Sequence, residues 1–522
     1  MIENSRLYFL LVLGDSRVCF LLALGVIALC INAIFPRKIQ RNLSEPVRIP
    51  PTIPVIGHII GVFWYKAEYY NILSQKWGFP IFSIRMINQD VHIVTSPDLM
   101  SSLQRQHKAI SLWQLEGLFT AQLAGLSKSA TDRLLANVFS DSDAPSLMLK
   151  GIKVIQSALS PVGGMNSMLR EAALATKSRL DNLASAAGNK NRNNAIDLWG
   201  WVRHEMTAVM TESLYGVENP YRDPEVEEGF WSFSDDSIKL LLPSFLLNII
   251  ASKAVRGRAT VVKGFQRYLF SGAYLKGSGL MKARYDCLVD ETDDTHTDLA
   301  KHQTLNDIAV LANTIPTVWW AIFHLFSDPG LLEEIRTQVE EITSSEVSIK
   351  GDTIRKINLQ KLNQLPLLTS MIYETLRFRS TGTGPRLVME DTFVGQDQYL
   401  LKKNSMVIIA NKRLHFDKSV WGETADSFCA DRFCNKVPGH AFRAFGGGVN
   451  TCPARGFVTP LMAAFIAMLA MRFDIIPHGS QWSEPGQDLS NMSTQIAPPR
   501  KKFMVDMVPR EGMNSVEWSF EM

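Results

Sequence analysis

The segment that decides the fold reads Phe445-Gly-Gly-Gly-Val-Asn-Thr-Cys-Pro-Ala-Arg455. Its three successive glycines allow the backbone to turn with positive φ and to approach a flat group closely. Cys452 stands between this turn and a helical pattern, so amide donors and the positive end of a helix dipole favour its thiolate. Phe445 is bulky enough to shield the sulfur from water. The segment therefore predicts a ligating thiolate, and the alternative is a buried structural cysteine after a glycine-rich turn.

Two further segments upstream carry charged residues at a characteristic spacing. Glu374-Thr-Leu-Arg377 places a carboxylate and a guanidinium at i and i+3, where they are neighbours on one helix face. Ala430-Asp-Arg432-Phe433 lies between this helix and Cys452. Such an i,i+3 pair alone is common on solvated helices, so it gains meaning only in combination with Arg432 and the cysteine segment.

The three segments together resemble the motifs of the cytochrome P450 family. The cysteine segment is similar to the FxxGxxxCxG loop, with Ala454 in place of the last glycine. The resemblance covers about Pro50 to Pro509. It implies a mainly α fold with minor β, in which haem b lies between a long helix and the helix after the cysteine, and Cys452 is the axial ligand of the iron.

The resemblance also implies roles for residues around the haem. Phe445, Gly448, Asn450 and Arg386 occupy cofactor-binding positions, with Arg386 similar to a residue that contacts a propionate. The family often has His or Arg where this chain has Asn450, so one cationic contact is replaced by a neutral donor. By the same resemblance, an ion network supports the cysteine loop, and its members are Glu374, Arg377 and Arg432.

The oxygen-side helix departs from the family pattern. Where most members have an acid followed by an alcohol, this chain has Ala312-Asn-Thr-Ile-Pro-Thr317. Pro316 cannot donate to the carbonyl of Ala312 and clashes with it, so the helix must kink or widen. We expect Asn313 and Thr317 to organise water near dioxygen as catalytic residues, and their alternative role is helix packing. The run is similar to that of the branch containing sterol 7α-hydroxylases and prostacyclin synthase.

The composition supports a large folded body. The 522 residues are 46% hydrophobic and 20% charged with a net charge of +3, which excludes disorder and a nucleic-acid footprint. Helical patterns dominate, and Phe82 to Val94 predicts a β-hairpin. The apolar segment from Ile238 to Ile250 is either part of the core or a loop that dips into a membrane surface.

The N-terminal region predicts a membrane anchor. Residues 18–35 are apolar and would span roughly 27 Å as a helix, close to the hydrocarbon thickness of the endoplasmic reticulum. Residues 1–17 form a short leading segment, residues 36–58 a basic and proline-rich hinge, and residues 59–522 the haem-thiolate domain. The alternative is a cleaved signal peptide, which the length of the apolar run and the lack of a small-residue cleavage site disfavour.

These features predict a single-pass protein of the endoplasmic reticulum membrane whose catalytic domain faces the cytosol. The resemblance implies a monooxygenase that uses O2 and NADPH electrons from a reductase, with cytochrome b5 as a further partner. Its predicted substrate is small and lipophilic, such as a terpenoid or meroterpenoid. The alternatives are an isomerase that rearranges a peroxide without reductase, and a non-catalytic haem- or lipid-binding module. The basic residues predicted to meet the reductase are Lys436, Arg443 and Arg455.

Overall fold

The structure is a computed structural model, and it describes most of the chain after the N-terminal region. The predicted anchor at 18–35, the segment 1–17 and the start of the predicted hinge lie outside the described residues. The described residues are 44–53, 56–86, 89–137, 146–187, 195–242, 244–289, 295–347, 353–435, 439–479, 481–513 and 516–521.

Helices predominate, as the sequence predicts, and we number them in chain order. They are α1 (Gly57–Tyr65), α2 (Glu68–Trp77), α3 (Met100–Arg105), α4 (Trp113–Ala124), α5 (Lys128–Leu135), α6 (Leu147–Ala158), α7 (Met165–Ala187), α8 (Leu198–Tyr215), α9 (Pro224–Asp235), α10 (Ser244–Ile250), α11 (Ser252–Phe270), α12 (Gly279–Leu288), α13 (Thr295–Leu311), α14 (Thr314–Phe326), α15 (Pro329–Glu341), α16 (Leu359–Leu362), α17 (Pro366–Phe378), α18 (Asn411–His415), α19 (Lys418–Trp421) and α20 (Arg455–Arg472).

The strands are short and form a minor part of the structure. They are β1 (Val47–Arg48), β2 (Ile81–Met86), β3 (Gln89–Val94), β4 (Ile110–Ser111), β5 (Ala195–Asp197), β6 (Thr343–Val347), β7 (Thr353–Asn358), β8 (Thr383–Val388), β9 (Thr392–Val394), β10 (Tyr399–Leu401), β11 (Met406–Ala410), β12 (Phe473–Pro477), β13 (Met504–Pro509) and β14 (Val516–Glu521).

The chain divides into two compact units. The first takes in the described residues up to Ser111 together with Gly384–Arg413, and the second takes in Leu112–Thr383 and the residues from Leu414 onward. The first unit contains a six-stranded sheet in the order β1-β2-β3-β11-β8-β4. Strands β2 and β3 pair antiparallel, with Ile81 opposite Val94. The hairpin predicted from the alternating sequence is therefore confirmed.

The second unit is built around two apolar helices. Every residue of α14 is buried. From Phe457 to Arg472 in α20, every residue except Thr459 and Pro460 is buried. By length and composition, His296–Phe326 and Arg455–Arg472 are apolar enough to cross a bilayer, but 72% and 78% of their apolar 18-residue windows are buried inside the protein. Both therefore serve as core helices, against which side chains of the neighbouring helices pack.

The break between α6 and α7 follows from local sequence. A Cβ at Gly163 would lie 1.9 Å from the carbonyl oxygen of Ser157, so only glycine allows this close approach. Pro161 supplies no amide hydrogen, and Ser160 closes the turn by accepting from Gly163. The turn from Ser160 to Gly164 therefore separates α6 from α7.

The segment from 238 to 250 has a divided environment. Leu240 is fully buried, and its carbonyl accepts a hydrogen bond from the side chain of Gln122. Further along, Phe245 and Ile249 are 75% and 78% exposed. The core interpretation therefore fits the first part of this segment, while the second part presents apolar side chains to the outside.

Candidate active site

The cysteine loop is a tight turn closed by backbone hydrogen bonds. Gly446 and Gly448 have φ values of 75° and 61°, and a Cβ at Gly446 would lie 2.4 Å from the carbonyl oxygen of Asn450. The amide of Cys452 donates to the carbonyl of Phe445 at 2.8 Å, so the turn brings its two ends together. These glycines are therefore required by backbone geometry rather than by flexibility.

The sulfur of Cys452 lies at the start of α20. It accepts hydrogen bonds from the amides of Ala454 and Arg455, which lower its pKa, as does the positive charge of Arg455. Burial is the larger influence, however, and the pKa of the thiol is raised overall. The expectation that the helix start alone favours the thiolate is therefore wrong in its net direction. A metal ion bound to the sulfur would favour the thiolate.

A buried ion network lies beside the loop. Glu374 and Arg377 on α17 are both fully buried, and the guanidinium of Arg377 donates to both carboxylate oxygens at 2.7 and 2.8 Å. Arg432 donates to the same carboxylate at 3.0 and 3.1 Å, and the amide of Cys429 donates at 3.0 Å. The structure thus brings together the three charged residues that the sequence singled out.

The two arginines also hold the chain that precedes the cysteine loop. Arg377 donates to the carbonyls of His415, Ala425 and Ser427. Arg432 donates to the carbonyls of Trp421, Thr424 and Ser427. The guanidinium groups thus bind backbone carbonyls at the ends of two short helices and in the turns that follow them.

His415 connects this network to the cysteine loop. Its Nε2 accepts from the amide of Arg443 at 2.8 Å, so its Nδ1 carries the hydrogen and donates to the carbonyl of Arg377 at 3.1 Å. The imidazole is fully buried. The sequence analysis did not predict this link, because no local pattern joins His415 to Arg443.

The link makes stability depend on pH. Burial lowers the pKa of His415 to about 3 from an ordinary value of 6.5. As pH falls below 6.5 the unfolded state takes up the proton first, so the contribution present above pH 6.5 is lost progressively down to pH 3. The loss amounts to about 2 kcal/mol between pH 6.5 and 5. We expect His415→Asn to unfold more easily at pH 7 but to show a smaller drop in urea midpoint between pH 7 and 5. An equal drop in both proteins would contradict the assignment.

The oxygen-side helix is broken where the sequence predicts. Helix α13 ends at Leu311 and α14 begins at Thr314, so Pro316 lies in the first turn of α14, where no amide donor is needed. The hydroxyl of Thr317 donates to the carbonyl of Asn313 at 2.7 Å and is nearly fully buried. The amide oxygen of Asn313 accepts from the backbone of Gln495 at 2.7 Å.

Comparison with known proteins decides the family. The model of the cytochrome P450 family matches residues 47–505. A cytochrome P450 monooxygenase of Hypoxylon pulicicidum, nodJ, is 30% identical over 497 residues, which make up 92% of this chain and 92% of that protein. The chain belongs to the cytochrome P450 family. It is an oxidoreductase, and its family implies haem iron as the cofactor.

Other relatives of this cytochrome P450 are mammalian. Cytochrome P450 7B1 of Mus musculus is 23% identical and matches 83% of this chain and 85% of its own length. The cholesterol 7-alpha-monooxygenase of Cricetulus griseus is 26% identical over 41% of this chain and 46% of its own length. These relatives agree with the similarity noted between the run from Ala312 to Thr317 and the sterol 7α-hydroxylase branch.

The residues of this cytochrome P450 fit haem. Arg443 is only 4% exposed, and among the described residues its Nε and Nη1 have no hydrogen-bond partner. Burial without a compensating anion lowers the pKa of this guanidinium. Because an unpaired buried cation is costly, it suits a bound group that carries carboxylates, as haem does. Cys452 would supply the sulfur ligand of the iron.

Four basic residues singled out from the sequence lie in different surroundings. Arg443 was predicted to meet the reductase at the surface, and this is wrong because the residue is buried. Arg455 is exposed, while Lys436 lies outside the described residues. Arg386 lies on β8 in the first unit, is 8% exposed, and donates to the carbonyl of Pro385 at 2.7 Å. Its contact with a propionate stays a prediction.

Proposed function

We propose that this cytochrome P450 is a haem-thiolate monooxygenase that inserts one oxygen atom from O2 into a lipophilic substrate. The observation that carries the proposal is the placement of Cys452, whose sulfur faces two amide donors at the start of α20. When bound, haem supplies dioxygen activation, to which a thiolate ligand contributes electron density. The polypeptide holds the ligand, excludes water and positions the proton-carrying groups.

The cysteine loop and the residues that support it hold the sulfur ligand in place. The network of Glu374, Arg377 and Arg432 fixes the segment that leads into the loop, and His415 carries that constraint to Arg443. The ring of Phe445 packs against Tyr373, with 6.1 Å between ring centroids. We propose that this aromatic packing limits the access of water to the thiolate side.

In this proposal, Thr317 and Asn313 orient the water that delivers protons. The hydroxyl hydrogen of Thr317 is used toward the carbonyl of Asn313, so the hydroxyl oxygen remains an acceptor for a water molecule. The amide nitrogen of Asn313 is a donor at the same helix break. Together they would orient water in place of the acid that this helix lacks, because Ile315 stands at the acid position and Pro316 at the position of the alcohol that follows it.

The substrate class and partners rest on the relatives. The name of the hamster relative states that it acts on cholesterol, and the Hypoxylon relative is named a monooxygenase. A terpenoid, meroterpenoid or similar apolar scaffold is therefore the proposed substrate. The proposed electron donor is an NADPH-dependent reductase, with cytochrome b5 as a further partner. Anchoring by residues 18–35 would place the domain on the cytosolic face of the endoplasmic reticulum.

The experiment combines the purified protein with a microsomal reductase, NADPH and 18O2. Candidate scaffolds, including cholesterol and a panel of terpenoids, are added separately and products are analysed by mass spectrometry. We expect one 18O atom in the product, with no product when the reductase is omitted or Cys452→Ala is used. Product from a lipid hydroperoxide without NADPH or reductase would favour the isomerase, for which the missing acid is the motivating observation. Normal haem and scaffold binding without any product would favour a binding module.

A further inference from the structure

The strand β14 is bound along its whole length. It pairs in parallel with β7 over six residues, from Val516 opposite Thr353 to Glu521 opposite Asn358. The match to the family model ends at residue 505, so this strand lies beyond the part of the chain that the model covers. Membership of the family therefore assigns no role to β14.

Trp518 anchors β14 in the core of the second unit. Its side chain is fully buried and belongs to the same apolar cluster as the buried side chains of α20. The guanidinium of Arg355 on β7 lies 4.8 Å from the centre of the indole ring, and Arg355 also pairs with Glu340 near the end of α15. Val516 and Phe520 point to the same face as Trp518 and pack against the cluster. The strand is thus part of the core.

Helix α7 connects β14 to the start of α20. The strand contacts α7, and Oε1 of Glu517 lies 3.5 Å from Nζ of Lys177 on that helix. This ion pair is partly exposed and contributes little by itself, so the packing of the strand on the helix matters more. The first residue of α7 reaches α20, because a Cβ at Gly456 would lie 3.4 Å from the sulfur of Met165. Gly456 follows Cys452 by about one helical turn.

Helix α16 provides a second connection. The side-chain oxygen of Asn358, at the end of β7, caps α16 by accepting from the amide of Lys361 at 2.9 Å. The side-chain nitrogen of Asn358 donates to Glu521 on β14 at 3.2 Å. Leu359 and Leu362 of α16 are buried, and α16 contacts α20. The strand therefore reaches α20 through two different helices.

We infer that the strand 516–521 is a brace for the cysteine helix α20, and that Trp518 is a positioning residue for Cys452. The inference rests on the proposed function, because it concerns the bond between the sulfur of Cys452 and haem iron. The brace holds α7 and α16 against α20, whose first residues carry the amides that donate to this sulfur. Without the brace, the start of α20 moves more freely relative to haem, and the sulfur leaves the iron while the rest of the unit stays folded.

Two substitutions at one position test the brace. Trp518→Ala removes the anchor, whereas Trp518→Phe keeps an aromatic ring and removes the indole N–H, which has no hydrogen-bond partner among the described residues. The reduced, CO-treated proteins are held in moderate urea, and loss of the strongly red-shifted Soret band is followed together with far-UV circular dichroism. We expect the band to be lost about tenfold faster in Trp518→Ala, with the circular dichroism unchanged, and at the wild-type rate in Trp518→Phe.

Phe230→Ala is the control for a general loss of stability. Phe230 is as fully buried as Trp518 but lies on α9. All proteins are compared at urea concentrations that leave the same folded fraction by circular dichroism. We expect Phe230→Ala to lose the red-shifted band at the wild-type rate under these conditions, because its cavity does not loosen the start of α20.

Two outcomes would overturn the inference. The first is an equal rate of band loss in Trp518→Ala and Phe230→Ala at matched folded fraction. The second is rapid amide hydrogen exchange along residues 516–521 in the wild-type haem protein, as fast as in an exposed loop, which can be measured even if Trp518→Ala does not fold. A wild-type protein that never shows the red-shifted band would refute the proposed function itself, and the inference with it.

Discussion

Substituting serine for Cys452 is expected to abolish the strongly red-shifted Soret band of the reduced, CO-treated protein and to lower turnover to the background of free haem. A serine hydroxyl is nearly the same size as the thiol but does not ionise at neutral pH, so it cannot supply the anionic sulfur that donates electron density to iron. The amides of Ala454 and Arg455, which donate to the sulfur, remain in place. The variant therefore tests the ligand without removing the loop.

The matched control is Cys434→Ser. Cys434 is exposed, whereas Cys452 is largely buried, and both are unpaired cysteines of the described chain. The control should keep the red-shifted band and full turnover. The haem-thiolate account would be wrong if Cys452→Ser kept the red-shifted band and full turnover. It would also be wrong if Cys434→Ser lost the band and turnover while its circular dichroism spectrum stayed unchanged.

The raised pKa of the Cys452 thiol affects how the protein binds haem. Because burial outweighs the amide donors, the polypeptide favours the protonated thiol, and the proton must leave when iron binds. Haem uptake should accordingly release a proton. In this account the sulfur of Cys452 becomes negatively charged when haem binds, while the network of Glu374, Arg377 and Arg432 supports the loop that carries it.

The cysteine loop was accessible from sequence because its chemistry demands a local pattern, whereas the ion network that includes Arg432 was predicted from the resemblance to the family. Successive glycines, a cysteine before a helix and the Glu374–Arg377 spacing each reflect a constraint carried by neighbouring residues. The break before α14 was equally predictable, since Pro316 removes one specific hydrogen bond. The hairpin of β2 and β3 followed from the alternating sequence between Phe82 and Val94.

The unpredicted features depend on contacts between distant segments. No local pattern predicts that the side chain of Asn313 binds the backbone of Gln495 instead of capping its own helix. Nor does a local pattern predict that His415 links α17 to the backbone of Arg443. The burial of Arg443 was missed because a basic residue beside a loop is usually solvated. The net pKa of Cys452 was misjudged for a related reason, since desolvation is a property of the folded surroundings.

The other large effect concerns Arg377. Arg377→Lys keeps the positive charge beside Glu374, yet we expect it to lower the free energy of unfolding by about 3 kcal/mol and to release haem at lower urea concentration. The guanidinium makes five hydrogen bonds, two to Glu374 and three to the carbonyls of His415, Ala425 and Ser427. An ammonium group has three donors and no planar fork, so buried carbonyls lose their partners.

The measurement is urea unfolding followed by circular dichroism for the polypeptide and by the Soret band for haem. The surface pair of Lys418 and Glu423, 53% and 90% exposed, provides the control, and Lys418→Ala should leave both midpoints unchanged. If charge alone mattered, Arg377→Lys would behave like the control and only Arg377→Met would be destabilised. Because Arg377 reaches the cysteine loop through His415, haem release should precede unfolding in Arg377→Lys by a wider margin than in the wild-type protein.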